Sequence, residues 1–370
     1  MENQNVLYQI GMTLVKGIGT VTAKQIVETL GDVSLLFKEK KSVLERIPGI
    51  SRRIVTEIHR PEILQQAEKE LLFIEKNKLQ TFFIGDETYP ERLKDCIDAP
   101  VMLYYKGNAN LNAEKIISIV GTRNASGYGR EITEKIIQDV SVVYPELLIV
   151  SGLAYGIDIC AHKSALKHHL PTVGVLAHGL DRIYPHVHRS TAVEMLQQGG
   201  LLTDFVSGTA PDRQNFIKRN RIVAGLSDCT LVVESAEKGG ALITANIADS
   251  YHRDVFAVPG KATDAYSAGC NVLIKYKKAA LVACADDIFR EMCWNEAKKG
   301  EKKPVQRKIF VDLTSEEQIL VDVLSKTAQM QLNMLAITVN LPIHQLASLL
   351  FELEMKGVVR CLPGGLYELI

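Results

Sequence analysis

The sequence predicts an α/β protein built on an extended Rossmann-type, doubly wound sheet, with a smaller unit on either side of it. Three observations support this. Residues 116–293 alternate short apolar strands with helical segments, residues 1–75 contain two helix–glycine turn–helix patterns, and the last sixty or so residues form a separate unit behind a charged linker. Strands that are apolar at consecutive positions are typical of a parallel sheet buried on both faces.

Composition allows a large core but identifies no partner. The chain has 370 residues, of which 46 % are hydrophobic, and its formal net charge is zero, so overall charge gives no support for a nucleic-acid ligand. The seven cysteines are scattered without a CxxC pair, which suits reduced core residues and argues against a zinc site. The first residues do not resemble a signal peptide, and no apolar run reaches the roughly 18 residues of a membrane span. We therefore expect a cytoplasmic protein with no membrane contact, no metal and no cofactor.

Two glycine turns mark the N-terminal unit, residues 1–75. The first turn, Leu14–Gly19, contains two glycines and a lysine, and the second, Leu44–Ile50, contains the single glycine Gly49. A helix on each side of each turn gives a pattern that resembles a tandem helix-hairpin-helix or SAM-like module, in which the glycine turn offers backbone N–H groups to a DNA phosphate. A helical module that only packs against its neighbours explains the same residues, so both interpretations stay open.

A bridge, residues 83–115, leads into the strands of the central domain, which we place at residues 83–293. The bridge contains a Tyr89-Pro90 turn and the strand-like run Val101–Tyr105. Helical segments separate most of the strands that follow, as in a doubly wound domain. The predicted strands are Ile116–Val120, Leu147–Val150, Thr172–Ala177, Leu201–Phe205, Thr230–Glu234 and Val255–Val258.

A basic linker, residues 295–310, precedes a C-terminal unit at residues 311–370. Thr314 and Glu317 have the spacing of a capping box at the start of a helix. A later helix ends at Lys356-Gly357 and is followed by two short strands around a glycine turn, an order that resembles a winged helix. Because residues 332–356 carry few basic side chains, a protein contact or a packing role is as good an interpretation as binding of duplex DNA.

Glycines and basic side chains collect in the loops that follow the strands. Such loops open onto one edge of a doubly wound sheet, where glycines and helix N-termini can approach a phosphate. Four aromatic side chains in these loops are suited to stacking bases, namely Tyr128, Tyr155, Tyr184 and Phe216. The basic side chains are Arg123, Arg182, Arg213, Lys218, Arg219, Arg221, Lys238 and Lys261. A basic groove with stacking surfaces predicts a single-stranded nucleic acid as ligand.

Plainer interpretations exist for the aromatic side chains and the first loop. Gly121–Arg123 is equally suited to bind the phosphate of a small nucleotide. Tyr184-Pro185 is typical of a packed turn, and Tyr155 is suited to burial against the sheet. Phe216 competes with Ile217 for a place in the core.

Two groups of charged residues also have alternatives. Lys218, Arg219 and Arg221 could form one solvated helix face, but three positive charges within four residues repel one another, which favours an anionic partner. Asp158 and His162 lie at helical spacing and could form an acid–base pair or hold a metal. A carboxylate near a helix N-terminus is also stabilised by the helix dipole, and this explanation of Asp158 needs no chemistry.

Signatures of enzymes are missing. The chain has no P-loop pattern, no GxGxxG in the required frame and no GxSxG elbow. The second strand of the alternating region is followed by Ser151-Gly152 rather than by the acidic residue that holds an NAD ribose. We therefore predict a binding protein rather than an enzyme.

Five blocks in the central domain together form a highly specific set. They are Gly121–Arg123 with Ser126 and Tyr128-Gly129, Ser151–Asp158, Phe216–Ser227, Gly239–Ala245 and Val258–Gly260. These blocks closely resemble the signatures of the DprA/Smf family of DNA-processing proteins. A small departure is Gly239-Gly240-Ala241, where a serine often stands in place of one of the last two residues.

The resemblance implies a function as well as a fold. Members of this family bind incoming single-stranded DNA during natural transformation, protect it, load the RecA recombinase onto it and pair as homodimers through the Rossmann domain. The DNA-binding residues implied here are Arg123, Ser126, Tyr128, Gly129, Ser151, Gly152, Phe216, Lys218, Arg219, Asn220 and Arg221, with Lys261 as a weaker match. The rival is a nucleotide-processing enzyme of the phosphoribohydrolase type, but its catalytic glutamate is absent after Gly239-Gly240.

Overall fold

The computed structural model describes residues 2–294, 313–325, 327, 329–362 and 365–369. The predicted basic linker, residues 295–310, lies outside the described residues. The chain divides into two compact units, residues 1–297 and 298–370, and each is described by itself.

A single mostly parallel sheet forms the centre of the first unit. Within the described residues it has nine strands in the order β1-β2-β6-β5-β4-β3-β7-β8-β9. β2 pairs antiparallel with β1 and β6, and all other pairs are parallel. The strands are β1 Gln80–Phe83, β2 Met102–Gly107, β3 Ile116–Val120, β4 Leu148–Ser151, β5 Thr172–Val175, β6 Gly199–Thr203, β7 Cys229–Val232, β8 Asp254–Ala257 and β9 Ala280–Leu281.

The predicted α/β fold is confirmed, with two differences in the strands. The fourth predicted strand was placed at residues 201–205, but β6 begins at Gly199, because Gly199 and Gly200 pair with Thr172 and Val173 of β5. The sheet also extends past the alternating region, since β1 and β2 add an antiparallel edge.

Helices cover both faces of the sheet, as the apolar strands require. In β3, Ile116 and Val120 belong to one buried cluster while Ile117 and Ile119 belong to another, so successive side chains enter different cores. A short 3-10 helix occupies His186–His188. The α-helices are α7 Glu91–Lys94, α8 Gly127–Val143, α9 Ile157–Lys167, α10 Arg189–Gln198, α11 Arg213–Gly225, α12 Gly240–Ser250, α13 Ala268–Lys275 and α14 Ala285–Glu291.

The N-terminal helices pack directly on the sheet. Each glycine turn packs against the helix that follows the other turn. Gly17 of the first turn lies against Ile54, and Gly49 of the second turn lies against Gln25. The buried Glu70 carboxylate accepts hydrogen bonds from the backbone and hydroxyl of Ser207, which follows β6. The helices are α1 Glu2–Leu14, α2 Thr20–Leu30, α3 Leu35–Lys38, α4 Lys41–Leu44, α5 Arg52–Ile58 and α6 Pro61–Asn77.

The second unit has the helices and small sheet of a winged helix, as predicted. The capping box at its start is formed, because Thr314 Oγ1 accepts from the Glu317 N–H and the Glu317 carboxylate accepts from the Thr314 N–H at 2.8 Å. The three strands lie in the order β10-β12-β11. The elements are α15 Ser315–Leu324, β10 Met330–Gln331, α16 Leu332–Val339, α17 Ile343–Met355, β11 Val359–Leu362 and β12 Leu366–Leu369.

Among the described residues, no single helix is long and apolar enough to cross a bilayer. The helices α16 and α17 meet the requirement only together, across a bend of 107°.

Candidate nucleic-acid interface

A crevice of about 760 Å³ opens at the carboxyl ends of β3 and β7. The strand order reverses between these two strands, and such a switch point is where doubly wound sheets bind ligands. The walls come from the loops after β3, β4 and β7, from Tyr184, from one side of α11 and from the start of α12. We call this the switch-point crevice.

A cation and two aromatic rings lie together in the switch-point crevice. The Arg123 guanidinium carbon lies 5.4 Å from the centre of the Phe216 ring, and the Tyr184 ring lies 6.0 Å from that of Phe216. Phe216 is half-buried and Ile217 is 45 % exposed, so neither takes the core position that the alternative interpretation gave to Phe216. Tyr184 and Arg123 are exposed. The three side chains offer stacking surface and positive charge to a ligand.

Arg219 lies beneath the crevice rather than at its surface. It is only 4 % exposed, and its Nη1 donates to the carbonyl oxygens of Gly152 and Val175. Burial lowers the pKa of Arg219 to about 10, while the nearby Asp158 carboxylate opposes that shift. A side chain on Gly152 would collide with this guanidinium, since a Cβ atom there would lie 2.2 Å from Nη1. Arg219 and Gly152 therefore shape the crevice from below.

Arg221 points away from the crevice. Its Nη2 donates to Asp204 Oδ2 at 2.6 Å, and its Nη1 donates to the Asp98 carbonyl oxygen. Burial raises the pKa of Asp204, and Arg221 opposes this shift. Of the three cations at 218, 219 and 221, only Lys218 is exposed. The alternative in which these three residues form one solvated helix face is therefore wrong, because Arg219 is buried and Arg221 pairs with Asp204. The anionic partner that the sequence favours for them stays a prediction.

Ser126 and Gly129 begin α8 around an internal carboxylate. Ser126 Oγ accepts from the Gly129 N–H at 3.0 Å, which caps the helix. The Ser126 N–H donates to Glu234 Oε2 at 2.9 Å, and its hydroxyl donates to Oε1 at 2.5 Å. Glu234 is 1 % exposed. Sequence reasoning missed this residue, whose signal was a single carboxylate at the end of the apolar run before the Gly239-Gly240 turn.

The remaining predicted contacts differ in their surroundings. Tyr128 is half exposed and donates from its hydroxyl to the Pro259 carbonyl oxygen at 2.9 Å. Ser151 is buried and donates to the Ile119 carbonyl oxygen at 2.5 Å. Asn220 lines the crevice, whereas Lys261 is exposed but is not part of its lining.

Four other basic and aromatic side chains of the predicted groove also differ in their surroundings. Arg213 and Lys238 line the crevice. Arg182 instead pairs with Asp181 at 2.8 Å. Tyr155 is 48 % exposed and packs edge-on against His188, so it is not buried against the sheet.

Asp158 and His162 have separate partners. Asp158 lies in the first turn of α9 and accepts a hydrogen bond from the Ala154 N–H at 3.3 Å. Burial raises the pKa of Asp158, and the charge of Arg219 opposes that shift. His162 Nδ1 lies 2.7 Å from the Thr172 hydroxyl, and burial lowers its pKa to about 3. The two side chains therefore belong to the packing of α9 rather than to an acid–base pair.

Comparisons with known proteins agree with this architecture. A family model described as DNA recombination-mediator protein A matches residues 80–293, and a model of the DprA winged helix domain matches residues 311–365. The DNA processing protein DprA of Streptococcus pneumoniae is 39 % identical over 217 residues, which cover 59 % of this chain and 76 % of that protein. Protein Smf of Escherichia coli is 31 % identical over 315 residues, which cover 82 % of this chain and 80 % of that protein.

Two solved structures resemble the chain. The X-ray structure of DprA from Streptococcus pneumoniae superposes with a TM-score of 0.63 at 31 % identity, covering 77 % of this chain and 96 % of that one. DNA processing protein A from Helicobacter pylori, described for its single-stranded DNA binding mode, superposes with a TM-score of 0.53 at 26 % identity, covering 59 % of this chain and 97 % of that one. With the family model matching more than half of its residues, this chain belongs to the DNA recombination-mediator protein A family, known as DprA or Smf.

Proposed function

We propose that the switch-point crevice binds single-stranded DNA and that the chain acts as a recombination mediator rather than an enzyme. The observation that carries the proposal is the cluster of Arg123, Phe216 and Tyr184, which joins one exposed cation to two aromatic rings. A flexible strand can place a base on a ring while its phosphate meets the guanidinium. Duplex DNA keeps its bases stacked inside and gains little from such a surface.

The relatives support the same ligand. The Helicobacter pylori protein is described as binding single-stranded DNA, and its structure matches this chain over most of its own length. We extend that ligand to this chain because Arg123 and Phe216, which the family resemblance selects, lie together in one crevice.

The predicted contact residues fall into three groups in this proposal. Arg123, Phe216 and Asn220 contact the strand in the crevice, and Tyr128 and Lys218 contact it from the surrounding surface. Ser126, Gly129, Ser151, Gly152 and Arg219 hold the loops in place from below. Arg221 and Lys261 meet DNA only if the strand continues past the crevice.

The rival nucleotide-processing enzyme receives no support from the crevice. Among its lining residues, Asp158 is the single carboxylate, and it is buried beside Arg219. A phosphoribohydrolase-type reaction needs a carboxylate at the substrate. The proposed mediator needs only binding groups, which the crevice has.

The proposal has four further parts. They are RecA loading, protection of incoming DNA, pairing as a homodimer, and action in the cytoplasm during natural transformation. They rest on the family membership. Light scattering of the full chain tests the dimer, and RecA filament assembly on DNA coated with single-strand binding protein tests the loading.

Fluorescence anisotropy of labelled oligo-dT with the full chain tests the binding proposal. We expect tight binding that weakens steeply with salt, and much weaker binding of a matching duplex. Equal affinity for strand and duplex, or no dependence on salt, would contradict it.

A further inference from the structure

The start of α8 is the place where a doubly wound sheet ordinarily receives a phosphate. α8 follows β3, and β3 lies at the reversal of strand order. The free N–H groups of such a helix and its dipole favour one anion at this point. In this chain the helix N-terminus is not open, because the side chain of Glu234 already occupies it.

The contacts of Glu234 are those of a bound anion. Its two carboxylate oxygens accept from the Ser126 N–H at 2.9 Å and from the Ser126 hydroxyl at 2.5 Å. A Cβ atom on Gly129 would lie 2.1 Å from Oε2, so the absence of a side chain there lets the carboxylate sit against the first turn of the helix. Glu234 is 1 % exposed, so the carboxylate is buried at this position.

Glu234 also fixes the loop that carries Arg123. Its carbonyl oxygen accepts from the Thr122 N–H at 2.7 Å, while its side chain holds Ser126 on the far side of the loop. The loop 121–126 is thus attached to the end of β7 at both ends. Arg123 lies between these attachments and is exposed.

We propose that Glu234 keeps phosphate out of the start of α8, beside the switch-point crevice, by occupying the phosphate position itself. A free phosphate or the phosphate of a mononucleotide would have to displace a buried carboxylate or lie against its negative charge. An anionic ligand is left with the exposed cations that line the crevice, Arg123, Arg213 and Lys238, which suit a chain of phosphates passing over it. The exclusion of phosphate from the helix N-terminus holds whatever larger ligand the crevice takes.

The substitution Glu234→Ala in the full chain tests this role. It vacates the site while leaving the N–H and hydroxyl donors of Ser126. The probe is inorganic phosphate, and the readout is the melting temperature in phosphate against chloride at equal ionic strength. The matched control is Glu237→Ala, which removes the same charge from an exposed position three residues along the same loop.

We expect phosphate to raise the melting temperature of E234A in a saturable manner, because a ligand that binds the folded state stabilises it. The wild-type chain and E237A should respond equally to phosphate and chloride. A specific phosphate response of the wild-type chain, or no response in E234A, would overturn the inference.

A second variant covers the case in which E234A does not fold. Glu234→Ser also removes the carboxylate but leaves a small polar side chain at this position. The same phosphate-specific rise is expected, and its absence in a folded E234S would overturn the inference. Since neither measurement involves DNA, failure of this inference is distinguishable from failure of the proposed function.

Discussion

Arg219 and Gly152 are in direct contact beneath the switch-point crevice: Arg219 Nη1 donates to the Gly152 carbonyl oxygen at 2.5 Å, and no side chain fits on Gly152. The arginine also compensates the buried Asp158. We therefore expect these two residues to influence the proposed DNA binding through the fold rather than by contact.

Arg219→Ala should destabilise the first unit strongly. It removes two buried hydrogen bonds, to the Gly152 and Val175 carbonyl oxygens, and the main charge that offsets the burial of Asp158. Loss of such a buried charged group costs about 3–5 kcal/mol. Urea unfolding followed by circular dichroism measures the loss. Arg213→Ala, which removes an exposed cation from the same helix, should stay within about 0.5 kcal/mol of wild type. Equal stability of the two variants would show that Arg219 is not structural.

Phe216→Ala should weaken the binding of oligo-dT. Loss of a stacked base costs about 1–3 kcal/mol, or roughly 5- to 150-fold in affinity. Phe216→Tyr retains a ring of similar size and should bind within a few-fold of wild type. Anisotropy titrations at one fixed salt concentration compare the variants. Wild-type affinity in the alanine variant would rule out a stacking role for this ring.

Protonation of His162 should make the first unit less stable in acid. Burial lowers its pKa from 6.5 to about 3, so between these values the unfolded chain binds a proton that the folded chain does not. Stability is therefore lost as pH falls from 6.5 toward 3. At pH 5 the loss is about 2 kcal/mol, at about 1.4 kcal/mol per pH unit.

His162→Asn removes this titration and provides the comparison. The difference in unfolding free energy between pH 7 and pH 5 should be about 2 kcal/mol smaller in the variant than in the wild-type chain. An unchanged pH dependence would mean that folding does not lower the pKa of His162.

Thr314→Ala should destabilise the winged-helix unit without affecting the first unit. The hydroxyl caps α15, and loss of such a cap costs about 1 kcal/mol. Thr314→Ser keeps the hydroxyl and is the matched control. Differential scanning calorimetry of the full chain should show a lower melting temperature for that unit in the alanine variant alone. Equal melting of the two variants would contradict the cap assignment.

Much of the fold follows from the sequence because each strand of the parallel sheet is buried on both faces. All six predicted strands of the alternating region appear, with ends within two residues of the expected positions. β6 is shifted as a whole toward the N-terminus, because Gly199 and Gly200 pair with β5 inside the sheet. β1 was not predicted, since its pairing with β2 is decided by distant residues.

The candidate site was predictable only in part. The sequence brought Arg123 and Phe216 to one sheet edge, and the structure places them 5.4 Å apart. It did not indicate which cations on α11 face inward. Arg219 is compensated by Asp158 and Arg221 by Asp204, and these partners come from other elements that only folding brings close.

The most direct test of DNA binding at the switch-point crevice compares two variants of the full chain, Arg123→Ala and Arg290→Ala, by their affinity for labelled oligo-dT. Both variants lose one exposed arginine, but Arg290 lies on α14 and is not part of the crevice lining. We predict that R123A binds more weakly and that its slope of log affinity against log salt is flatter by about 0.7, while R290A matches wild type. Identical affinity and salt dependence in the two variants would contradict binding at the switch-point crevice.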